Sequence, residues 1–197
     1  MYLFVVLSKL KGLKVFYLVN IVKSLDNINN VVGRTVSWLT FLMVLIVFTV
    51  VLFRYVFSVG WIAMQESYVW IHGIVFMLSA SYTFLHDGHV RIDVIYRSSS
   101  KKYKAIVNLF GSIFFVFPLI WIVWIKAIPF VNRSWGRLES SAEAGGLPGL
   151  YILKSIILVF CILFVLQTIS IVLRSLCDLL DIDIPKVLDD QNQQLNS

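Results

Sequence analysis

Four stretches of the chain contain no Asp, Glu, Lys or Arg: Thr35–Phe53, Ser67–Leu85, Ala105–Ile125 and Ser155–Leu173, of 19, 19, 21 and 19 residues. Each is close to the ~20 residues that an α-helix needs to cross a hydrocarbon core about 30 Å thick. Composition points the same way, since 59% of the residues are hydrophobic and only 14% are charged, against roughly 25% charged in soluble domains. The fold class is therefore an all-α membrane protein with four transmembrane helices. No connection is long enough for an additional large soluble domain. The chain divides into an N-terminal cytoplasmic or interfacial segment (1–30), a four-helix membrane domain (31–176) and an acidic, polar cytoplasmic tail (177–197).

A net charge of +6 invites a nucleic-acid reading, but the basic residues flank the spans instead of forming a solvated face, so no nucleic-acid partner is expected. Twelve of the 17 lysines and arginines lie before the first span, between the second and third, or after the fourth. The other five are Arg54, Lys126, Arg133, Arg137 and Lys154. By the positive-inside rule both termini and the central connection are cytoplasmic, and residues 54–66 and 126–154 face the opposite side. Trp61, Trp70, Trp121, Trp124 and Trp135 sit in or near those outer connections, where an indole keeps its N–H wet. Cys161 within a span and Cys177 on the reducing side predict no disulfide.

Residues 1–30 are too interrupted to span, because Lys9, Lys11 and Lys14 break the apolar run. At 100° per residue these lysines do not share one face, so an interfacial helix there is not an ideal one, and Asp26–Asn30 reads as its end. Ser58 and Gly60 predict a tight hairpin between the first two spans. His86-Asp87-Gly88 is a turn signal, and Pro118 removes a backbone bond within the third span. The longest connection, rich in Pro and Gly, follows Lys126. Beyond Arg174 the tail turns acidic, with a short helix expected to fray.

Arg54 ends the first span and Glu66 begins the second, which suggests an ion pair at one interface; separate snorkelling to water is the plainer alternative. Glu66, Trp70, Gly73 and Met77 recur at helical spacing with Ala80 and Ser81. Small residues there let helices approach closely, whether inside the bundle or against another subunit. His72 raises a haem-binding tetraspan, but His86 lies about 21 Å further along a helix, too far to complete one iron site. His86, Asp87 and His89 lack a distal ligand cluster and read as a polar turn. No nucleophile with its base, phosphate loop or carboxylate pair is present, so no enzyme, cofactor or metal is expected. No internal repeat with interrupted spans marks a self-sufficient transporter.

Arg54-Tyr55-Val56-Phe57, then Trp61, Gln65-Glu66, Tyr68, Trp70 and Gly73, then Gly88-His89-Val90-Arg91-Ile92-Asp93, resemble the small permease subunit of TRAP transporters, the DctQ-like family. Arg137 to Ser141, Gly145-Gly146-Leu147-Pro148, Tyr151, Lys154 and Gln167 are similar to the entry into the last span in one branch of it. The resemblance runs from about Val32 to Arg174 and departs at Gln65, where many members carry a second acid. It implies a bacterial inner-membrane importer in three parts. A periplasmic substrate-binding protein delivers a substrate, commonly an organic acid, to a large permease subunit that usually moves it with sodium. The small subunit then serves as a scaffold, with Glu66, Trp70 and Gly73 supporting the large one and Arg133, Arg137, Glu139 and Glu143 offering a surface to the binding protein.

Overall fold

The computed structural model describes residues 2–89, 96 and 99–182, so the acidic tail beyond Ile182 and the Val90–Asp93 part of the central connection lie outside the described residues. Four helices are long and apolar enough to cross a membrane. They are α1 (Tyr2–Val56), α2 (Ile62–Leu85), α3 (Lys101–Gly136) and α4 (Leu150–Leu179). Helix α4 packs against each of the other three, α1 and α2 pack along each other, and α3 rests on α4.

What is inside and what is outside follow the solvent. Large apolar side chains such as Phe41, Phe48, Phe76, Phe114, Trp121 and Ile162 are exposed on the helix surfaces. The buried set is rich in small polar residues, among them Ser81, Ser112, Ser134, Thr168 and Ser170. That distribution suits hydrocarbon, where apolar side chains gain nothing by leaving the surface and helices associate through close packing and hydrogen bonds. The hydroxyls of Ser79, Thr83, Ser155 and Thr168 return bonds to carbonyls one turn back, a bond that needs no water.

Helix α1 continues through Asp26–Asn30, where the sequence suggests an end. The polar residues there are taken up by α4 instead of terminating the helix. Asn29 Nδ2 donates to Gln167 Oε1 at 2.9 Å, Gln167 Nε2 donates to Asp26 Oδ1 at 3.1 Å, and Ser170 Oγ donates to the same oxygen at 2.6 Å. Arg174 closes the cluster with an ion pair to the other oxygen of Asp26. Asn29 and Gln167 are wholly buried. One turn and more below, Val19 is buried against Cys177, flanked by Val15, Leu18 and Ile182. Residues 2–30 are thus the first half of α1, and the part from Val15 onward is fastened to the second half of α4.

Gly33 fixes the crossing of α1 and α2. A Cβ at that position would lie 2.2–2.5 Å from atoms of Tyr82, so the glycine is a notch that receives the tyrosine ring. The α2 helix then ends as the turn signal predicts. Asp87 takes φ 53°, Gly88 N–H donates to Thr83 O at 2.8 Å, and Asp87 N–H donates to Phe84 O at 3.4 Å, the paired bonds that close a helix C-terminus.

Helix α3 contains a π-turn over Ser112–Val116, in which Phe117 N–H reaches back to Ser112 O. The cause lies one residue on: Pro118 has no N–H, and its ring crowds the carbonyl four residues earlier, so the helix widens locally. Helix α3 runs on past the expected end of the third span near Ile125, through Pro129 to Gly136. The long connection shrinks accordingly to residues 137–149.

Replacing Gln167 by Leu removes the bonds of Asn29 and Asp26 to that side chain and is expected to destabilise the bundle by about 1–3 kcal/mol, seen as a lower apparent unfolding midpoint in detergent. Adding Asn29→Leu to that variant should recover part of the loss, because both partners are then apolar; a double variant worse than the sum of the two singles would contradict the pairing.

Candidate functional site

At the end of the bundle away from the termini, the 137–149 connection folds back on itself and onto α2. Ser141 N–H donates to Leu147 O at 3.1 Å, Glu143 N–H donates to Ser141 Oγ at 3.1 Å, and Gly146 N–H donates to Glu143 O at 3.0 Å. Glu66, in the first turns of α2, holds this ring from below. One carboxyl oxygen accepts the Ser141 hydroxyl, and the other accepts Leu147 N–H at 2.6 Å. A single side chain thereby joins positions 75 and 81 residues apart.

Gly146 is dictated by that approach. A Cβ there would lie 2.5 Å from Ser141 Oγ and 2.7 Å from Glu66 Oε2. Three residues further along the connection, Gly149 takes φ 91° just before α4 begins, a conformation that glycine adopts without strain.

A second link closes the same end. Lys154 Nζ lies 2.5 Å from Glu139 Oε2 and 4.4 Å from the centroid of Phe130. This contact, the first of the causes acting on Glu139, holds its carboxyl below the usual range. Whatever stability the contact lends is therefore present above the unfolded-state pKa and is lost as the pH falls through the lowered folded value. Trp135 Nε1 donates to Ser155 Oγ at 2.8 Å and the indole meets Tyr151 edge-on at 4.6 Å, which ties the last turn of α3 to the first of α4.

The residues singled out in sequence separate into three groups. Glu66 is consumed inside the chain, and the ion pair suggested with Arg54 is not formed: Arg54 is exposed at the end of α1 while the Glu66 carboxyl is engaged by Ser141 and Leu147. Gly73 and Met77 face the chain's own bundle, Gly73 toward Leu153 of α4 and Met77 into a cavity of about 360 Å³ lined also by Ile157 and Phe160. Trp70 is half-buried on the same helix. Arg133, Arg137 and Glu143 are exposed, whereas Glu139 is held by Lys154.

The three histidines do not converge. His72 is exposed and stacks on Phe76, His86 packs on Tyr82, and His89 lies between Phe84 and Phe164 with Nε2 3.3 Å from Ala80 O. Ser141, Gly146 and Leu147 are the partners of Glu66 that spacing alone does not reveal, because nothing local connects them to it. The Asp26–Gln167 cluster had a visible signal, namely amides and a carboxylate in otherwise apolar helices.

Against known families, residues 43–178 match the family described as tripartite ATP-independent periplasmic transporters, DctQ component. The match begins within α1 and ends in the last turn of α4, so it takes in the last 14 residues of α1, all of α2 and α3 and nearly all of α4. No curated protein and no solved structure matches the chain.

Changing Glu66 to Ala removes both anchors of the loop. With about 1.5–3 kcal/mol assigned to such charged bonds, amide exchange at Leu147 is expected to speed up about ten- to hundredfold, while exchange in α1 stays unchanged. Gly146→Ala should produce the same local opening by collision. Unaltered protection of Leu147 in both variants would contradict the clamp.

Proposed function

Because the chain belongs to the DctQ family and is therefore the small membrane component of a tripartite ATP-independent periplasmic transporter, we propose that it acts as a fixed frame for the large permease subunit and takes no part in the transport chemistry itself. The family match over residues 43–178 carries this reading. Two structural features support it. The strongest polar interactions of the bundle, at Glu66 and at Asp26, are spent inside the chain. The described helices also cross the bundle without the unwound midpoints that create ion sites in self-sufficient transporters.

In this reading the large subunit carries the substrate, an organic acid, together with a coupling ion, sodium. A frame for a moving partner must resist tilting, and interfacial aromatic anchors serve that end. Trp61 and Tyr55, both exposed at the hairpin between α1 and α2, fit the anchor role. The exposed Arg133, Arg137 and Glu143 at the same end provide the surface offered to the soluble substrate-binding protein. Glu66 reaches the same surface indirectly, since it sets the shape of the loop that carries Glu143. Both termini lie on the cytoplasmic side, where the basic residues concentrate.

Mild-detergent extraction of the tagged chain from its native membrane is expected to recover a many-span permease with it. Recovery of this chain alone would overturn the frame reading. Orientation is checked by an impermeant maleimide: Ala142→Cys should be labelled from the periplasmic side and Ser99→Cys only after the membrane is opened, against a low background because Cys161 and Cys177 are each 1% exposed. The reverse pattern would contradict the topology.

A further inference from the structure

Helices α2 and α3 each rest on α4 but hardly touch each other, so the bundle has an open side, a cleft with α2 and α3 as walls and α4 as floor. Phe76 and Met77 of α2 and Val123 of α3 line it together in the cavity of about 360 Å³ floored by Ile157 and Phe160. Helices pack about 8–10 Å apart from axis to axis, and two that flank a third without packing on each other leave a groove that a further helix can enter. Shape alone names no occupant. Two ionisable side chains on the walls do.

His72 lies one turn beyond Phe76 on α2, and Lys126 lies one turn beyond Val123 on α3, both toward the end that carries the 137–149 connection. They therefore stand at about the same level on opposite walls. At about 100° per residue, Lys126 is about 60° round α3 from Val123 and about 160° from Trp124, which lines a separate cavity on the other flank of α3. Both residues are exposed. Among the described residues neither makes a hydrogen bond or an ion pair, and His72 has only the ring of Phe76. Glu66 and Glu139, the acids held in structure at this end, are turned to Ser141, Leu147 and Lys154.

Depth makes that exposure costly. His72 is about 9 Å along α2 from Glu66 and about 20 Å from the far end of the helix at Leu85. Lys126 is about 14 Å along α3 from Trp135. A lysine stem carries its ammonium part of the way to water, whereas an imidazole on a single methylene has no such reach. Ionisable groups inside a membrane are held by protein partners and not by acyl chains. A phospholipid phosphate stays at headgroup level, outside the hydrocarbon in which His72 lies. The complement of an ammonium on one wall and an imidazole on the other is a carboxylate, and the backbone of another membrane helix is what holds a carboxylate at that depth.

We propose that the cleft between α2 and α3 seats a transmembrane helix of the large permease subunit, and that this helix carries a carboxyl group placed between Lys126 and His72. The inference rests on the frame reading for the identity of the partner and deepens it by naming the side of the bundle that bears the load. The seated helix covers Val69, Phe76 and Leu119, which this chain leaves exposed. Its ion pair sets its height against α4.

The test uses the tagged full chain in its native membrane, with a benzophenone amino acid at Val69 or Leu119 on the two walls, or at Phe41 or Phe48 on the free face of α1. After irradiation and mild-detergent extraction, mass spectrometry identifies the linked segment. Both wall positions are expected to link to one transmembrane segment of the many-span subunit, a segment that contains Asp or Glu, and both α1 positions to link only to lipid. Lys126→Glu should lower the wall cross-links and the recovery of the large subunit at least about tenfold, and changing the partner's acid to Lys should restore both. Lys126→Met, which keeps the stem without the charge, and His72→Phe, which keeps the stack on Phe76, should each give a smaller loss, with circular dichroism checking that every variant remains helical. Normal recovery and cross-linking of helical Lys126→Glu overturns the proposal, as do wall cross-links to lipid, to a second copy of this chain or to a segment without an acid. Recovery of the large subunit with protein cross-links from α1 alone overturns the cleft and leaves the frame reading standing. Absence of any many-span subunit from the extract of the unaltered chain overturns both.

Discussion

A polar group surrounded by hydrocarbon has no water to return to, and this constraint shapes the molecule from its helices to its loops. It makes each span a helix, turns serine and threonine hydroxyls back onto their own backbone, and leaves stronger polar groups to find partners across helices. Asn29 finds Gln167, Asp26 finds Ser170, Gln167 and Arg174, and Glu66 finds Ser141 and the Leu147 amide. These contacts lie toward the two ends of the bundle. Elsewhere, apolar and small side chains do the packing, as at Gly73 beside Leu153.

The two polar clusters share α4 as their common support. Near its start α4 receives the loop ordered by Glu66, with Lys154 holding Glu139. Toward its end it receives α1 through Gln167, Ser170 and Arg174, and the first turn of α3 through Asp178. A helix clasped at both ends and touched by every neighbour is a sound axis for a stationary part. This gives physical content to the proposed role as a frame: large relative movement of these helices would have to break buried hydrogen bonds with no water to replace them.

Much of the architecture was legible in sequence because lipid imposes a simple rule on charge. Four uncharged runs gave four helices, and His86-Asp87-Gly88 gave the end of α2 through standard C-terminal geometry. Less legible were features set by another helix. Asp26–Asn30 looks like a terminus when only its own neighbours are counted, and is continuous helix because α4 supplies amide, hydroxyl and guanidinium partners. Pairing Arg54 with Glu66 is reasonable from their positions at one interface. The Glu66 carboxyl is instead turned to the Ser141 hydroxyl and the Leu147 N–H of the 137–149 connection. Lys126 and Pro129 suggested that the third span had ended, yet α3 reaches Gly136, since a helix leaving the hydrocarbon can carry charge and a proline whose lost bond water replaces.

The central claim is that this chain frames a transporter and does not itself transport. Reconstitution into sodium-loaded or sodium-free liposomes tests it directly, with substrate uptake followed for the chain alone, for the co-purified large subunit alone, and for the two together with the soluble binding protein. Uptake only when the large subunit is present, and fullest when both membrane chains are, is the expected result. Substrate accumulation by this chain alone would contradict the claim.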